Sequence, residues 1–123
     1  MADFRYVNLT PDGSHTDNCV NRAIANGSGL TYEQVEYKLE LIGELLDCDY
    51  RCVCCYEFLL THYFGFEPIR CRGLTLDEFA EEHPYGLYLV RSEGHISVLD
   101  DYEVQDIWDC RDMVLTNACR IRR

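Results

Sequence analysis

The sequence predicts an α+β fold in which N-terminal helices pack on a C-terminal antiparallel β-sheet. Two observations carry this prediction. In the first part of the chain, apolar residues recur at helical spacing behind helix-capping signals, whereas after Gly86 the pattern changes to short β-rich runs. With 123 residues, 47% of them hydrophobic and 27% charged, the chain is predicted to form a single domain over residues 1–123 with a sizeable core.

The helices are predicted from capping residues and from helix-breaking residues. Thr31 with Gln34, and Thr75 with Glu78, match the capping box, in which the first and fourth residues satisfy each other's backbone N–H groups. Glycines in 27–29 indicate the end of the helix before Thr31. The predicted helices begin near residue 19, extend over about 32–46 and about 51–64, and cover a short stretch ending before Pro84.

The strands are predicted from short runs of β-branched and aromatic residues after Gly86. Residues 100–102 lie between two of these runs and are expected to form a hairpin turn, whereas residues 1–16 are expected to be rich in turns. If the turn centres near Asp101, Asp106 lies opposite His95. The predicted strands cover residues 87–90, 96–99, 104–108 and 118–122.

Charge and hydropathy exclude several classes of function. The net charge is −11, from 22 acidic and 11 basic residues, so direct nucleic-acid binding is not expected, because phosphate neutralisation needs a basic surface. No apolar run approaches the roughly 20 residues of a membrane span. A signal peptide has a basic segment followed by an apolar one, and the first residues of the sequence do not show this pattern. The sequence therefore predicts a cytoplasmic protein, in the host cytoplasm if a phage encodes it.

Eight cysteines raise the question of which thiols carry chemistry. Without a signal peptide, reduced thiols are expected, most of them acting as small buried apolar residues. Cys19 is the exception, because it falls at the predicted start of a helix. Free backbone N–H groups and the helix dipole stabilise a thiolate at such a position. Cys19 is therefore the candidate nucleophile.

A thiolate nucleophile also needs a base and a group that orients the base. His95 follows Gly94 at the start of a predicted strand, and the predicted hairpin brings Asp106 beside it. Asp109, three residues on, is the alternative third residue. The sequence therefore predicts a catalytic arrangement of Cys19, His95 and Asp106 in that order along the chain.

This arrangement resembles the small bacterial and phage-encoded papain-like cysteine peptidases. The resemblance spans about residues 17–110 and is carried by the segments around Cys19, over 31–35, 88–90 and 94–98, and around Asp106. It implies a papain-like architecture and a thiol hydrolase of amide, peptide or isopeptide bonds, with a peptide or protein substrate. The oxyanion would then be held by the Cys19 backbone N–H together with Asn18 or a backbone group near Gly13, since no glutamine precedes Cys19.

Two alternatives stay open beside the hydrolase. The first is a catalytically silent acidic protein of the same fold that acts as an interaction or inhibitor module, including a nucleic-acid mimic. The second is a zinc-stabilised module, because cysteines crowd residues 48–55 and two of them have C-x-x-C spacing. Its candidate cluster is Cys48, Cys52, Cys54, Cys55 and His62, which Cys71 could join; the favoured ligand set is Cys52, Cys55, His62 and Cys71. The favoured expectation is no metal and no cofactor, and the oligomeric state is left open.

Overall fold

The computed structural model describes residues 1–11, 13, 19–50, 52–61 and 67–121. Within these residues the chain forms four helices and six strands, which confirms the α+β class. The helices are α1 (Cys19–Ser28), α2 (Tyr32–Leu46), α3 (Val53–Leu59) and α4 (Leu76–Glu82). The strands are β1 (Asp3–Tyr6), β2 (Glu67–Pro68), β3 (Leu87–Ser92), β4 (His95–Asp100), β5 (Glu103–Asp106) and β6 (Asn117–Ile121).

All six strands belong to one sheet, with the order β1-β5-β4-β3-β6-β2. Every neighbouring pair is antiparallel except β1 and β5, which are parallel. The prediction of a purely antiparallel sheet is therefore wrong at this edge. Residues 1–16 were expected to be turns, but Phe4 pairs with Val104 and Tyr6 with Asp106. A four-residue edge strand carries little local signal of its own and is fixed by pairing with a distant segment.

The sheet is covered on both faces. Alternate residues of β3 point to opposite sides, as a strand requires. Leu87 and Leu89 belong to a core shared with α1, α2 and α3, whereas Tyr88 and Val90 belong to a second core with Phe79 of α4. The prediction that helices pack on a sheet is therefore confirmed in outline, but the fourth helix lies on the face opposite the other three.

The predicted capping boxes form. Thr31 Oγ1 accepts a hydrogen bond from the Gln34 N–H at 3.1 Å, and the Gln34 side chain accepts one from the Thr31 N–H at 2.9 Å. Thr75 and Glu78 repeat the pattern at the start of α4. These local signals explain why the bounds of α2 and α4 agree with the sequence prediction. Helix α3 lies within the predicted 51–64, and residues 51 and 62–66 lie outside the described residues.

Candidate functional site

The thiol at the centre of the site is the first residue of α1. Cys19 is half-buried, and α1 packs against β4 and β3, so the start of the helix faces the sheet. Ala23 and Ile24 are buried in the core on this side. Gly27 allows close packing, because a Cβ built there would lie 3.2 Å from Ile121 Cδ1. The small residues of α1 thus bring its first turn down onto β4.

The imidazole is supplied by the first residue of β4. His95 follows Gly94, whose φ of 88° closes the turn from β3 in a conformation that favours glycine. His95 Nε2 lies 2.7 Å from Asp106 Oδ2, and the two side chains are only 13% and 6% exposed. Asp106 Oδ1 also accepts a hydrogen bond from the Ile107 N–H at 2.7 Å. This is a largely buried, charge-assisted pair in a fixed orientation.

Cys19, His95 and Asp106 shift one another's ionisation. Burial would raise the pKa of the Cys19 thiol, but hydrogen bonds from His95 and from the Ile96 N–H lower its pKa below the usual thiol range. Burial would lower the pKa of His95, but hydrogen bonds to Asp106, Cys110 and Cys19 raise it well above its usual value. The geometry thus favours a thiolate beside an imidazolium. Because His95 Nε2 is hydrogen-bonded to Asp106, we infer that Nδ1 is the ring nitrogen that forms the hydrogen bond with Cys19.

The carboxylate is held in its ionised form. Burial would raise the pKa of Asp106, but hydrogen bonds from His95, from Ser97 and from the Ile107 N–H lower it. Cys110 lies beneath the pair, with its Sγ 3.5 Å from Asp106 Oδ2, and burial raises the pKa of this thiol. Cys110 therefore acts as a neutral buried neighbour of the carboxylate.

The hairpin register differs from the predicted one by two residues. Val98 pairs with Gln105 and Leu99 with Val104, so Asp106 is level with Ser97. A slip of one residue would have sent Asp106 to the other face, but a slip of two keeps it on the face of His95. The prediction of the contact therefore succeeded although its register was wrong.

Asp109, the alternative third residue, lies elsewhere. Its carboxylate binds Arg111, with Oδ2 at 2.6 Å from Nη2 and Oδ1 at 2.8 Å from Nε. The structure therefore pairs His95 with Asp106. Asn18, the candidate oxyanion residue, lies outside the described residues. The catalytic roles of Cys19, His95 and Asp106 stay predictions.

Sequence reasoning missed several groups around this site. Extending the β4–β5 register beyond its last pair would set Trp108 opposite His95, and the two rings lie 4.8 Å apart between centroids. The Ile96 N–H and Cys110 also face the reacting groups. Trp108 could have been found by extending the correct register, whereas the position of Cys110 depends on an irregular segment after β5.

A second group of thiols lies at the corner between α2 and α3. The Cys48 Sγ is 3.0 Å from that of Cys54 and 3.2 Å from that of Cys55, and the Cys54 Sγ is 3.2 Å from that of Cys52. We call these four residues the thiol corner. The predicted ligand Cys71 is instead buried in the second core beside α4, and His62 lies outside the described residues.

The fold and the site define an α+β protein with a helix-borne thiol, a strand-borne imidazole and a buried carboxylate. The sequence is 26% identical over 112 residues to the C subunit of NADH-quinone oxidoreductase from Neorickettsia sennetsu. The match covers 89% of this chain, which spans 60% of the relative's length. No protein-family model matches the sequence. No solved structure matches it either.

This relative overturns the predicted function. The protein that aligns over most of the chain is named as an oxidoreductase subunit and not as a cysteine peptidase, so the prediction of a thiol-dependent amide or peptide hydrolase is wrong. The inhibitor and nucleic-acid-mimic roles find no counterpart in the relative's name. The predicted peptide substrate likewise has no support, whereas the coarser prediction of a protein partner agrees with a relative that belongs to a multi-subunit enzyme.

None of the helices in the described ranges is long and apolar enough to cross a membrane.

Proposed function

We propose that this chain is a protein-binding subunit of a larger assembly, and that it binds through the outer face of α2. The observation that carries the proposal is a row of large apolar side chains on that face. The relative's name supports it, since that protein is one of the subunits of NADH-quinone oxidoreductase. We propose an assembly of the same kind as the setting of this chain.

The row consists of Tyr37, Leu41 and Leu45, which we call the apolar row. These side chains are 63%, 48% and 72% exposed. Their spacing of four residues places them above one another on one face of the helix. The opposite face of α2 is already used, because Val35 and Leu39 are fully buried in the core. An amphipathic surface helix carries polar residues on its outer face, so an apolar row there is typical of a contact surface.

Charge beside the row defines the chemistry of the partner. Glu33, Glu40 and Glu44 are exposed along one side of the apolar row. The whole chain carries a net charge of −11. A matching partner surface would offer an apolar groove for the three side chains, bordered by lysine or arginine side chains. Such complementarity speeds association and disfavours wrong partners.

We further propose that α1 and the sheet have the papain-like arrangement, without the hydrolase function of that family. This proposal rests on the thiol at a helix start and the imidazole at a strand start. Within it, Cys19 is a reactive thiolate, His95 holds its proton and Asp106 orients His95. A cytoplasmic location stays a prediction.

The docking proposal is tested by photo-crosslinking in cells that make the protein. A photoreactive phenylalanine analogue replaces Leu41, and the adducts are identified by mass spectrometry. We expect discrete adducts that contain other subunits of a NADH-quinone oxidoreductase. The matched control carries the analogue at Tyr85, which is 80% exposed, lies outside the apolar row and should give no such adduct.

A charge variant supplies the second arm. In this experiment the photoreactive analogue replaces Tyr37. Leu41→Glu with Leu45→Glu should abolish the adduct formed from that position, whereas Tyr85→Glu should leave it intact. Circular dichroism checks that both variants fold, as expected for exposed positions. Equal adducts from positions 41 and 85, or adducts that persist in the double variant, would contradict the proposal.

A further inference from the structure

The thiol corner gathers four cysteines from one short segment. Cys48 follows the end of α2, Cys52 caps the start of α3, and Cys54 and Cys55 lie in the first turn of α3. Cys55 is fully buried, Cys48 is half-buried, and the other two are exposed. No role proposed above uses the thiol corner.

The sulfur positions suit a shared cation. The sulfurs of Cys48, Cys54 and Cys55 all lie within 4.8 Å of one another, with that of Cys48 at 3.0 Å from Cys54 and 3.2 Å from Cys55. Cys52 lies outside this group of three and adjoins it through the 3.2 Å contact of its sulfur with that of Cys54. These separations are longer than a disulfide bond of about 2.05 Å. They are shorter than the separation of about 3.8 Å that follows from four bonds of about 2.3 Å around a tetrahedral zinc ion, so a bound ion would move the sulfurs slightly apart.

We propose that Cys48, Cys52, Cys54 and Cys55 form a site for one zinc ion. Four thiolates are a common ligand set for structural zinc, and soft thiolate ligands select for this ion. An iron–sulfur cluster would hold its cysteines further apart, because iron and sulfide lie between them. Binding displaces the thiol protons and leaves the sulfurs unoxidised.

The backbone at the corner fixes the ligands in place. Asp47 ends α2 with a φ of 54°, and the Cys48 N–H donates to the Gly43 carbonyl at 3.0 Å. The chain can turn back this closely over α2 because residue 43 is a glycine, since a Cβ there would lie 2.9 Å from the Cys48 carbonyl oxygen. The Cys52 N–H donates to the Asp49 carbonyl at 2.9 Å. The ligands are therefore placed by backbone hydrogen bonds that do not depend on the ion.

The site keeps the four corner cysteines of the cluster expected from the sequence. Cys71, which could have joined it, lies in the second core instead, and His62 lies outside the described residues. Within the described part of the chain, one other group could hold an ion, formed by His95, Asp106 and Cys110. Those three already satisfy one another by hydrogen bonds, as the 2.7 Å contact of His95 with Asp106 illustrates. The thiol corner is therefore the better metal site.

The test measures metal in the full chain, produced without an affinity tag and purified under reducing conditions without chelator. Plasma mass spectrometry should find one zinc per chain in the wild type. Cys52→Ser with Cys54→Ser should lose it, and both positions are exposed, so the apo fold should survive the change. Cys71→Ala, which removes a thiol from the second core, should retain it.

Cobalt provides an independent readout. Reduced, metal-free protein titrated with Co²⁺ should develop the intense visible bands of a tetrahedral thiolate site, saturating at one equivalent, and Zn²⁺ should bleach them. Zinc should also protect the corner cysteines from alkylation while Cys19 still reacts. A failure of the apolar row to crosslink would leave these results unchanged.

Three outcomes would overturn the proposal. The first is a zinc content equal in the wild type and the double serine variant. The second is fully reduced protein that shows no cobalt bands. The third is an intramolecular disulfide between corner cysteines as the native state, found by mass spectrometry of protein alkylated before reduction.

Discussion

Cysteine occurs in two contrasting electrostatic settings in this chain. Cys19 lies beside a buried imidazole whose own carboxylate is 2.7 Å away, so the protein itself supplies the positive charge that a thiolate needs. In the thiol corner the sulfurs lie against one another, and Cys48 and Cys52 raise the pKa of Cys54 to about 11. The pKa of Cys19 is lowered by a neighbouring cation, whereas within the corner the pKa of Cys54 is raised and hydrogen bonds with Cys54 lower that of Cys52.

The difference shows what a protein needs in order to keep a sulfur ionised. At Cys19 the cation is a histidine held by a carboxylate, and the three groups are fixed by elements of the core. At the corner the backbone fixes the sulfurs, but a cation has to come from solution. A reactive thiol and a metal ligand set can therefore arise from the same residue type within one small fold.

Removal of the His95 imidazolium should have the largest effect, and that effect is on the reactivity of Cys19. We expect His95→Ala to slow alkylation of Cys19 by iodoacetamide at neutral pH on the order of a hundredfold, because the thiolate loses its counter-charge. Samples quenched at successive times and analysed by peptide mass spectrometry give the alkylation rate at each cysteine. His83→Ala is the control, since this ring contacts Phe79 and Tyr88 on the other face of the sheet. Equal alkylation rates of Cys19 in the wild type and His95→Ala would show that His95 does not stabilise the Cys19 thiolate.

The buried pair should also contribute to stability over a defined pH window. The lowered pKa of Asp106 means that its contribution is present above the usual carboxyl range and is lost as pH falls through the lowered pKa. The raised pKa of His95 means that its contribution is complete below the usual histidine pKa and is lost as pH rises through the raised pKa. At a pH between the lowered pKa of Asp106 and the raised pKa of His95, we expect Asp106→Asn to lower the free energy of unfolding by about 2 kcal/mol.

Urea unfolding at acidic, mildly acidic and strongly alkaline pH checks this window. The difference between the wild type and Asp106→Asn should narrow at both extremes. Asp109→Asn, which disrupts the more exposed pair with Arg111, should change the free energy of unfolding by less than about 1 kcal/mol. A difference that stays constant with pH would show that Asp106 stabilises the fold without its charge.

The corner backbone can be tested without touching a sulfur. Gly43→Ala places a Cβ against the Cys48 carbonyl oxygen and the Tyr50 Cα, at 2.9 and 3.2 Å. Because both are backbone atoms, we expect the corner to shift, at a cost of about 1–2 kcal/mol in the free energy of unfolding. Gly27→Ala is the matched helical control, since its new methyl meets side-chain carbons at 3.2 Å or more and no backbone atom. Thermal and urea unfolding measure both variants, and equal stability of the two would refute the strain at the corner.

The parts of the molecule that could be predicted are those set by local chemistry. The capping boxes at Thr31 and Thr75 fixed the starts of α2 and α4, and turn residues located the β4–β5 hairpin. The contact between His95 and Asp106 followed from alternation along two strands, which tolerates a register error of two residues. Cys19 was placed correctly at the start of a helix, whereas its catalytic role stays a prediction.

The parts that could not be predicted depend on distant segments. Strand β1 exists because Phe4 and its neighbours pair with β5, about a hundred residues away along the chain. The thiol corner was visible as a cluster of cysteines, but its membership depends on the left-handed residue Asp47 and on the return of the chain over Gly43. Function was the least predictable, because an ion pair of thiolate and imidazolium does not identify the molecule it serves.

The contact between Trp108 and His95 provides a built-in optical reporter. Trp108 is the single tryptophan of the chain, and its ring centroid lies 4.8 Å from that of His95. A protonated imidazole quenches indole emission on contact, whereas a neutral one does so weakly. We therefore expect the fluorescence of the unmodified protein to respond to the charge of His95, and His95→Ala to remove that response.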